Sequence, residues 1–237
     1  LDNSLNITNN NRIIAALPTI KKVIADGGMA ILMSHLGRPK NGFEERFSLK
    51  NTVKHLSNLL EKPVHFCNSC IGEKTASDIA KMNNGDVLLL ENLRFYPEEK
   101  GGDEDFAKKL ASLGDIYVND AFGTAHRNHA STAVIAKFFP NNKCFGKLIE
   151  KEINALEKVL KNAESPITAI IGGSKISGKI DVIRSLFNTV DNLIIGGGMA
   201  YTFAKAKGGQ IGKSLIEVDK VSLAKKLMDE AKTNGVN

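Results

Sequence analysis

Val87-Leu88-Leu89-Leu90-Glu91-Asn92-Leu93-Arg94-Phe95 is the stretch on which the reading of the fold turns. Four consecutive apolar residues without alternation read as a strand buried on both faces, as in a parallel sheet covered by helices. Polar residues follow at once. They place Glu91, Asn92 and Arg94 just past the carboxyl end of that strand, where open α/β sheets bind ligands.

Outward from this stretch, short apolar or β-branched runs recur at residues 30–33, 64–66, 116–119, 168–171 and 192–195. Helical stripes lie between them. Ile13, Leu17 and Ile20 form one; Leu49, Val53, Leu56 and Leu60 form another, entered through a Ser48 cap; Phe106, Leu110 and Leu113 form a third. The alternation predicts an α/β fold of parallel sheets with helices on both faces.

Phe139-Pro140-Asn141-Asn142-Lys143 is a turn-rich break, followed by a charged helix with Ile153, Leu156 and Leu160 on one face. Ser165-Pro166 then opens a fresh strand. The predicted organisation is a first unit over 1–146, a hinge helix over 147–163 and a second unit over 164–237. Two strands and a helix bearing Leu223, Leu227 and Ala231 are predicted for the second unit. Two strands do not close a doubly wound core, so that unit is expected to be truncated. The first residue is Leu1 rather than Met, and the chain is expected to be incomplete.

Composition narrows the function classes. The 237 residues are 42% hydrophobic and 24% charged, with a formal net charge of +6, ordinary globular usage with a lean toward anionic partners. Trp is absent, aromatics are 6%, and no basic-aromatic stripe appears, so nucleic-acid binding is not expected. No apolar run approaches the ~20 residues that cross a bilayer, and no membrane partner is expected. Residues 1–11 are polar and Asn-rich, unlike a signal peptide. Asn6-Ile7-Thr8 has the spacing of a glycosylation acceptor, a triplet that also arises by chance. Cys67 and Cys70 stand at CxxC spacing, but no second pair exists and Cys144 has no spaced His. They read as ordinary thiols of a reducing cytoplasm, with no metal site.

The residues that carry chemistry follow the strands. Ser34-His35-Leu36-Gly37-Arg38-Pro39 follows the first and Arg94 the third. Asp120-Ala121-Phe122-Gly123-Thr124-Ala125-His126-Arg127 follows the fourth, and Arg12 opens the first helix. A lone Arg is ordinarily a solvated surface residue. Guanidiniums delivered to one edge by three loops repel one another unless an anion sits between them, and phosphate or carboxylate satisfies Arg bidentately. A small, multiply anionic substrate is the guest this pattern fits. His35 and His126 read equally well as structural loop residues.

The second unit offers glycines. Ile170-Ile171-Gly172-Gly173-Ser174-Lys175-Ile176-Ser177-Gly178-Lys179 and Ile194-Ile195-Gly196-Gly197-Gly198-Met199 each run from a strand into a helix. Such turns let backbone approach a phosphate or a flat base, although tight helix–sheet packing demands glycine too. Gly173 to Lys179 fits GxxxxGK, but Ile180 stands where a P-loop needs Ser or Thr. Gly208-Gly209-Gln210-Ile211-Gly212-Lys213-Ser214 has the Ser but one residue too few. GxGxxG is absent.

Taken together, the 34–39, 91–95 and 119–127 segments, Arg12 with Ala16-Leu17-Pro18-Thr19-Ile20, and the Gly172-Gly173-Ser174-Lys175 and Gly196-to-Phe203 segments resemble the phosphoglycerate kinases in collinear order. The resemblance implies two Rossmann-like parallel-sheet domains closing over a cleft. It implies transfer of a phosphoryl group between 1,3-bisphosphoglycerate and ADP, giving 3-phosphoglycerate and ATP with magnesium, in a cytoplasmic monomer.

By the same resemblance, His35, Arg38, Arg94, His126 and Arg127 hold the substrate, chiefly its non-transferred phosphate. Arg12 binds and stabilises the transferring phosphoryl, and Lys175 does so from the nucleotide side. Gly172, Gly173, Lys179, Gly197 and Gly198 line the ATP/ADP pocket, and the magnesium ligand is expected beyond Asn237. The family's first strand and its Arg-x-Asp-x-Asn-x-Pro loop would precede Leu1. Two departures stand inside the match: Gly178, where the family usually has Asp or Thr, and Lys147, where an apolar hinge residue is common. Two other readings remain: a P-loop-like nucleotidase centred on Gly173 and Lys179, and a non-catalytic anion-binding fragment.

Overall fold

The computed structural model describes residues 1–2, 4–40, 42–161 and 164–237, with the side chains of 159–161 set aside. The elements are α1 (Asn11–Ala25), β1 (Ala30–Leu32), α2 (Lys50–Leu60), β2 (Val64–Cys67), α3 (Glu73–Ile79) and β3 (Val87–Leu90). They continue with α4 (Pro97–Gly101), α5 (Glu104–Ala111), β4 (Tyr117–Asn119), β5 (Lys143–Phe145) and α6 (Lys147–Lys161). The remainder are β6 (Thr168–Gly172), α7 (Ile180–Leu186), β7 (Asn192–Gly196), α8 (Met199–Ala206) and α9 (Val221–Thr233). The chain divides into two compact units, Leu1–Asn154 and Ala155–Asn237, with the division inside α6. Among the described residues no helix is long and apolar enough to cross a membrane.

In the first unit β3 is the central strand of a parallel sheet ordered β1-β3-β2. Its unbroken apolar run has a simple cause. Val87 and Leu89 enter a core with Ile20 of α1 and Leu56 and Leu60 of α2. Leu88 and Leu90 enter a second core with Phe106 and Leu110 of α5, Tyr117 and Ile135. Alternate side chains point to opposite faces, and both faces are covered. None of the four exceeds 4% exposure, so each contributes about 1.5–3 kcal/mol relative to an exposed position. The parallel pair β4–β5 forms a separate small sheet.

Several sequence expectations shift here. The N-cap place of α2 falls to Leu49, one residue past Ser48, although Ser48 Oγ does accept the first helical amide, that of Lys50, at 3.3 Å. The Ser48 hydroxyl also donates to Glu91 Oε2 at 2.7 Å, and Glu91 Oε1 accepts the Leu49 amide at 2.9 Å. A buried carboxylate needs such donors once it leaves water, and one hydroxyl can accept and donate at the same time. Ile116 is 65% exposed and lies before β4. Strand β5 sits where a plain break was expected; its three residues are all exposed, so it carries no apolar signal. Leu113 lies past the end of α5. On α6, Ile153 and Leu156 are exposed while Ile149 is buried; the Leu160 side chain and residues 162–163 lie outside the described residues.

In the second unit β6 and β7 pair in parallel from Thr168↔Asn192 to Gly172↔Gly196. Ile183 of α7 and Phe187 just past its end, Met199 and Phe203 of α8, and Ala224 and Leu227 of α9 cover one face. The facing pair Ile170 and Ile194 is exposed on the other, at 73% and 52%. Helices on both faces therefore describe the first unit, whereas the described helices of the second cover one face only.

Candidate functional site

Asn92, fully buried directly after β3, stitches the first loop to the third. Its Nδ2 donates to the Leu36 and Phe47 carbonyls at 2.8 and 2.9 Å, and its Oδ1 accepts the Arg94 amide at 3.0 Å. Arg94 Nη1 in turn donates to the Gly37 carbonyl at 2.7 Å. Gly37 has φ +63° and lies so close to the Phe47 ring that a Cβ would collide with it. The loop bearing His35 and Arg38 is thereby fixed against Arg94.

The cations feel one another. The Arg94 guanidinium is pushed below its ordinary range, first by burial and then by Arg127, Arg38 and Arg12, with Glu99 opposing. His35 is held down to about 4, again first by burial, then by Arg94, Arg12, His129 and Arg127. It is therefore neutral near pH 7 and offers hydrogen bonds rather than charge. Among the described residues, Arg12, Arg38, Arg94 and Arg127 have no carboxylate ion-pair partner. Arg94 Nε is buried without any hydrogen-bond partner. A buried, unpaired guanidinium N–H costs about 1–3 kcal/mol or more, and an oxyanion placed there removes that cost.

Arg12, His35, Arg38, Arg94 and Arg127 thus form one electrostatic cluster. His126 is exposed and is not among the main charges acting on His35 or Arg94. The histidine that does act on His35 is His129, which sequence reasoning passed over. It is buried, with Nδ1 at 3.6 Å from Glu99 Oε1. Its place two residues past Arg127 in the same loop was the available signal. Burial lowers its pKa, Glu99 raises it, and Arg94, Arg127 and Lys100 lower it further.

In the second unit the two glycine turns meet at the carboxyl ends of β6 and β7. Gly197 has φ +68°, and a Cβ there would stand 2.8 Å from Gly173 O and 2.9 Å from Gly173 N. The Met199 amide donates to the Gly173 carbonyl at 2.9 Å. Gly197 is thus required by turn-on-turn packing. Gly172 has only Gly196 backbone near, at 3.9 Å, and Gly178 has nothing within 4 Å. Gly198 would bring a Cβ to 3.2 Å from Ser174 O. Lys175 and Lys179 are both exposed, and Lys179 Cε passes 3.9 Å from the Cβ position of Gly173.

Glu217, unmarked by any motif, closes this turn. Its Oε2 accepts the Ile176 amide at 2.5 Å and the Ser177 amide at 3.3 Å. Its carboxyl is lowered by bonds from Ser177 and Ile176 and by the charge of Lys175. A P-loop points its backbone N–H groups at phosphate. Here two of them already serve a carboxylate, and Ile176 is fully buried in the core. The GxxxxGK match is therefore not a P-loop.

A family model described as "Phosphoglycerate kinase" matches residues 1–237. The chain is 51% identical over 261 residues to the phosphoglycerate kinase of Porphyromonas gingivalis, covering 100% of this chain and 62% of that protein. It is 53% identical over 236 residues to that of Chlorobaculum tepidum, covering 100% and 59%. The solved phosphoglycerate kinase of Coxiella burnetii superposes with a TM-score of 0.84 at 40% identity, over 100% of this chain and 59% of that one. That of Pyrococcus horikoshii gives 0.74 at 31% identity, over 97% and 57%. The chain spans about three-fifths of the length of these relatives. With the whole chain matched by the family model, it belongs to the phosphoglycerate kinase family.

Proposed function

We propose that the first unit binds 3-phosphoglycerate and 1,3-bisphosphoglycerate, and that the second binds ADP and ATP for phosphoryl transfer between them. The observation that carries the reading is the buried, unpartnered Nε of Arg94 among Arg12, Arg38 and Arg127. Arg38, Arg94 and Arg127 take the non-transferred phosphate, with His35 and His126 as hydrogen-bonding neighbours. Arg12 and Lys175 neutralise the transferring phosphoryl. Gly172, Gly173, Gly197, Gly198 and Lys179 form the nucleotide side.

The chemistry asks little more of the side chains. A diphosphate oxygen in one direction and a carboxylate in the other are already ionised near neutral pH, so no general base is needed. What remains is alignment and neutralisation of charge on the equatorial oxygens. Among the described residues no group of three His, Cys, Asp or Glu side chains is placed to hold a metal ion. A cytoplasmic setting, supported by three free cysteines, two of them buried, and a monomeric state are part of the same proposal.

Calorimetric titration of the chain with 3-phosphoglycerate tests the reading. Wild type is expected to bind, and Arg94→Ala to weaken binding about tenfold or more, the worth of a charge-assisted hydrogen bond. Equal affinity of Arg94→Ala and wild type would overturn it.

A further inference from the structure

The first three N–H groups of a helix have no intrahelical partner, and those of α6 are satisfied from two distant segments. The Lys147 amide donates to Thr19 Oγ1 at 2.8 Å. The Leu148 and Ile149 amides donate to Asp120 Oδ1 at 2.9 and 3.2 Å. The Thr19 hydroxyl closes the arrangement by donating to Asp120 Oδ2 at 2.5 Å. Gly146 precedes the helix, and a Cβ there would collide with the Asp120 carboxylate. Both oxygens of one carboxylate and both roles of one hydroxyl are in use, across a sequence separation of 101 residues.

Each partner leads to an arginine of the anion cluster. Thr19 lies seven residues after Arg12 on α1, two turns along the same face. Ile20 of α1 is buried, and Ile13, Ala16, Leu17, Val23 and Ile24 pack against the same core, a non-directional contact that the directional Thr19 bonds complement by fixing register. Asp120 leaves β4 and begins the turn that ends at Arg127. That turn is tied internally: Ala121 N to Asn119 Oδ1 at 3.1 Å, Arg127 N to Thr124 O at 2.9 Å, and Thr132 Oγ1 to Arg127 O at 3.0 Å. A shift of Asp120 is therefore passed along to Arg127.

We propose that Thr19 and Asp120 are positioning residues, a joint that holds Arg12 and Arg127 in mutual register by pinning α1 and the 120–127 turn to the start of α6. The consequence for substrate rests on the proposed function; the register itself does not.

The test uses Thr19→Val, with Thr19→Ser restoring the hydroxyl. In the ligand-free chain, the side-chain Nε–H resonances of both Arg12 and Arg127 are expected to shift in the Val variant and return in the Ser variant. In calorimetry, Thr19→Val is expected to weaken 3-phosphoglycerate binding about three- to tenfold, as for loss of one such bond, and Thr19→Ser to bind as wild type does. If Thr19→Val does not fold, Thr19→Ala removes the same hydroxyl with a better helix former. A variant without the hydroxyl that keeps wild-type affinity and an unmoved Arg127, while only the Lys147 amide exchanges faster, would reduce the joint to a helix cap and overturn the proposal. Coupled resonance shifts in a wild-type chain that takes up no 3-phosphoglycerate would support the joint and sink the proposed function.

Discussion

Ser131 gives the buried Glu99 carboxylate two hydrogen bonds, from its hydroxyl at 2.6 Å and its amide at 2.9 Å. Glu99 sits on α4 at 3% exposure, and its own carbonyl accepts the Ala130 amide at 2.9 Å. One short helix thereby holds the loop that carries Arg127 and His129. Removing a donor from a buried charge leaves that charge under-satisfied. Ser131→Ala is expected to lower the unfolding free energy by about 1.5–3 kcal/mol in urea denaturation. Ser112→Ala, at an exposed hydroxyl bonded only to the Lys109 carbonyl, is expected to stay within about 0.5 kcal/mol.

His35 ties stability to pH. Its folded pKa is about 4 against an ordinary value of 6.5, so between these values the unfolded chain binds more protons. Stability then rises with pH: the contribution is complete above about 6.5 and is lost as pH falls toward 4. His129, also lowered, adds in the same direction. His35→Gln is expected to flatten the acid limb of a stability–pH profile without abolishing it. An NMR titration is expected to place the His35 midpoint well below 6.5, and to raise it when 3-phosphoglycerate offsets Arg94, Arg12 and Arg127. A midpoint that ignores the ligand would count against an anion seated among those arginines.

The strands were legible where both faces are buried, because β3 then reads as an unbroken apolar run and its polar successors mark the site edge. Strand β5 was not, since three residues that are all exposed bury nothing that a pattern can report. Arg38, Arg94 and Arg127 were legible because each lies in the segment that follows a strand, and Arg12 because it stands at the start of a helix. Their supports were not: Glu99, Glu217 and the Thr19–Asp120 pair act through partners 32, 41 and 101 residues away. Side-chain pairing at such range follows from packing and leaves no periodic trace. His129 was missed because a buried loop histidine and an exposed one, His126, look alike without coordinates.

The glycines of the second unit divide into two kinds, and substitution separates them. Gly197→Ala puts a Cβ on a left-handed residue and drives it to within 3 Å of Gly173 backbone. It is expected to cost about 1–3 kcal/mol from strain alone and to lower the melting temperature of the chain. Gly178→Ala meets nothing within 4 Å and needs no positive φ. It is expected to be neutral or stabilising by about 0.4–1 kcal/mol, through the unfolded chain. Equal losses at both positions would show that the turn-on-turn contact does not govern Gly197.

Glu217 decides how the Gly173–Lys179 turn is used. Its carboxylate takes the Ile176 and Ser177 amides and sits within the field of Lys175. If the turn positions Lys175 for the nucleotide, Glu217→Ala frees those amides and loosens the lysine. Faster hydrogen exchange at Ile176 and Ser177 and weaker ADP binding are then expected together. A phosphate-cradling loop predicts the opposite sign, because freed N–H groups become new donors to the anion. Combining Glu217→Ala with Ile180→Ser sharpens the contrast, since Ser supplies the hydroxyl a P-loop needs for magnesium. Tighter ADP binding and new magnesium-dependent hydrolysis in that double variant would restore the P-loop reading. Weaker binding with no hydrolysis is the outcome expected of a turn already closed by its own carboxylate.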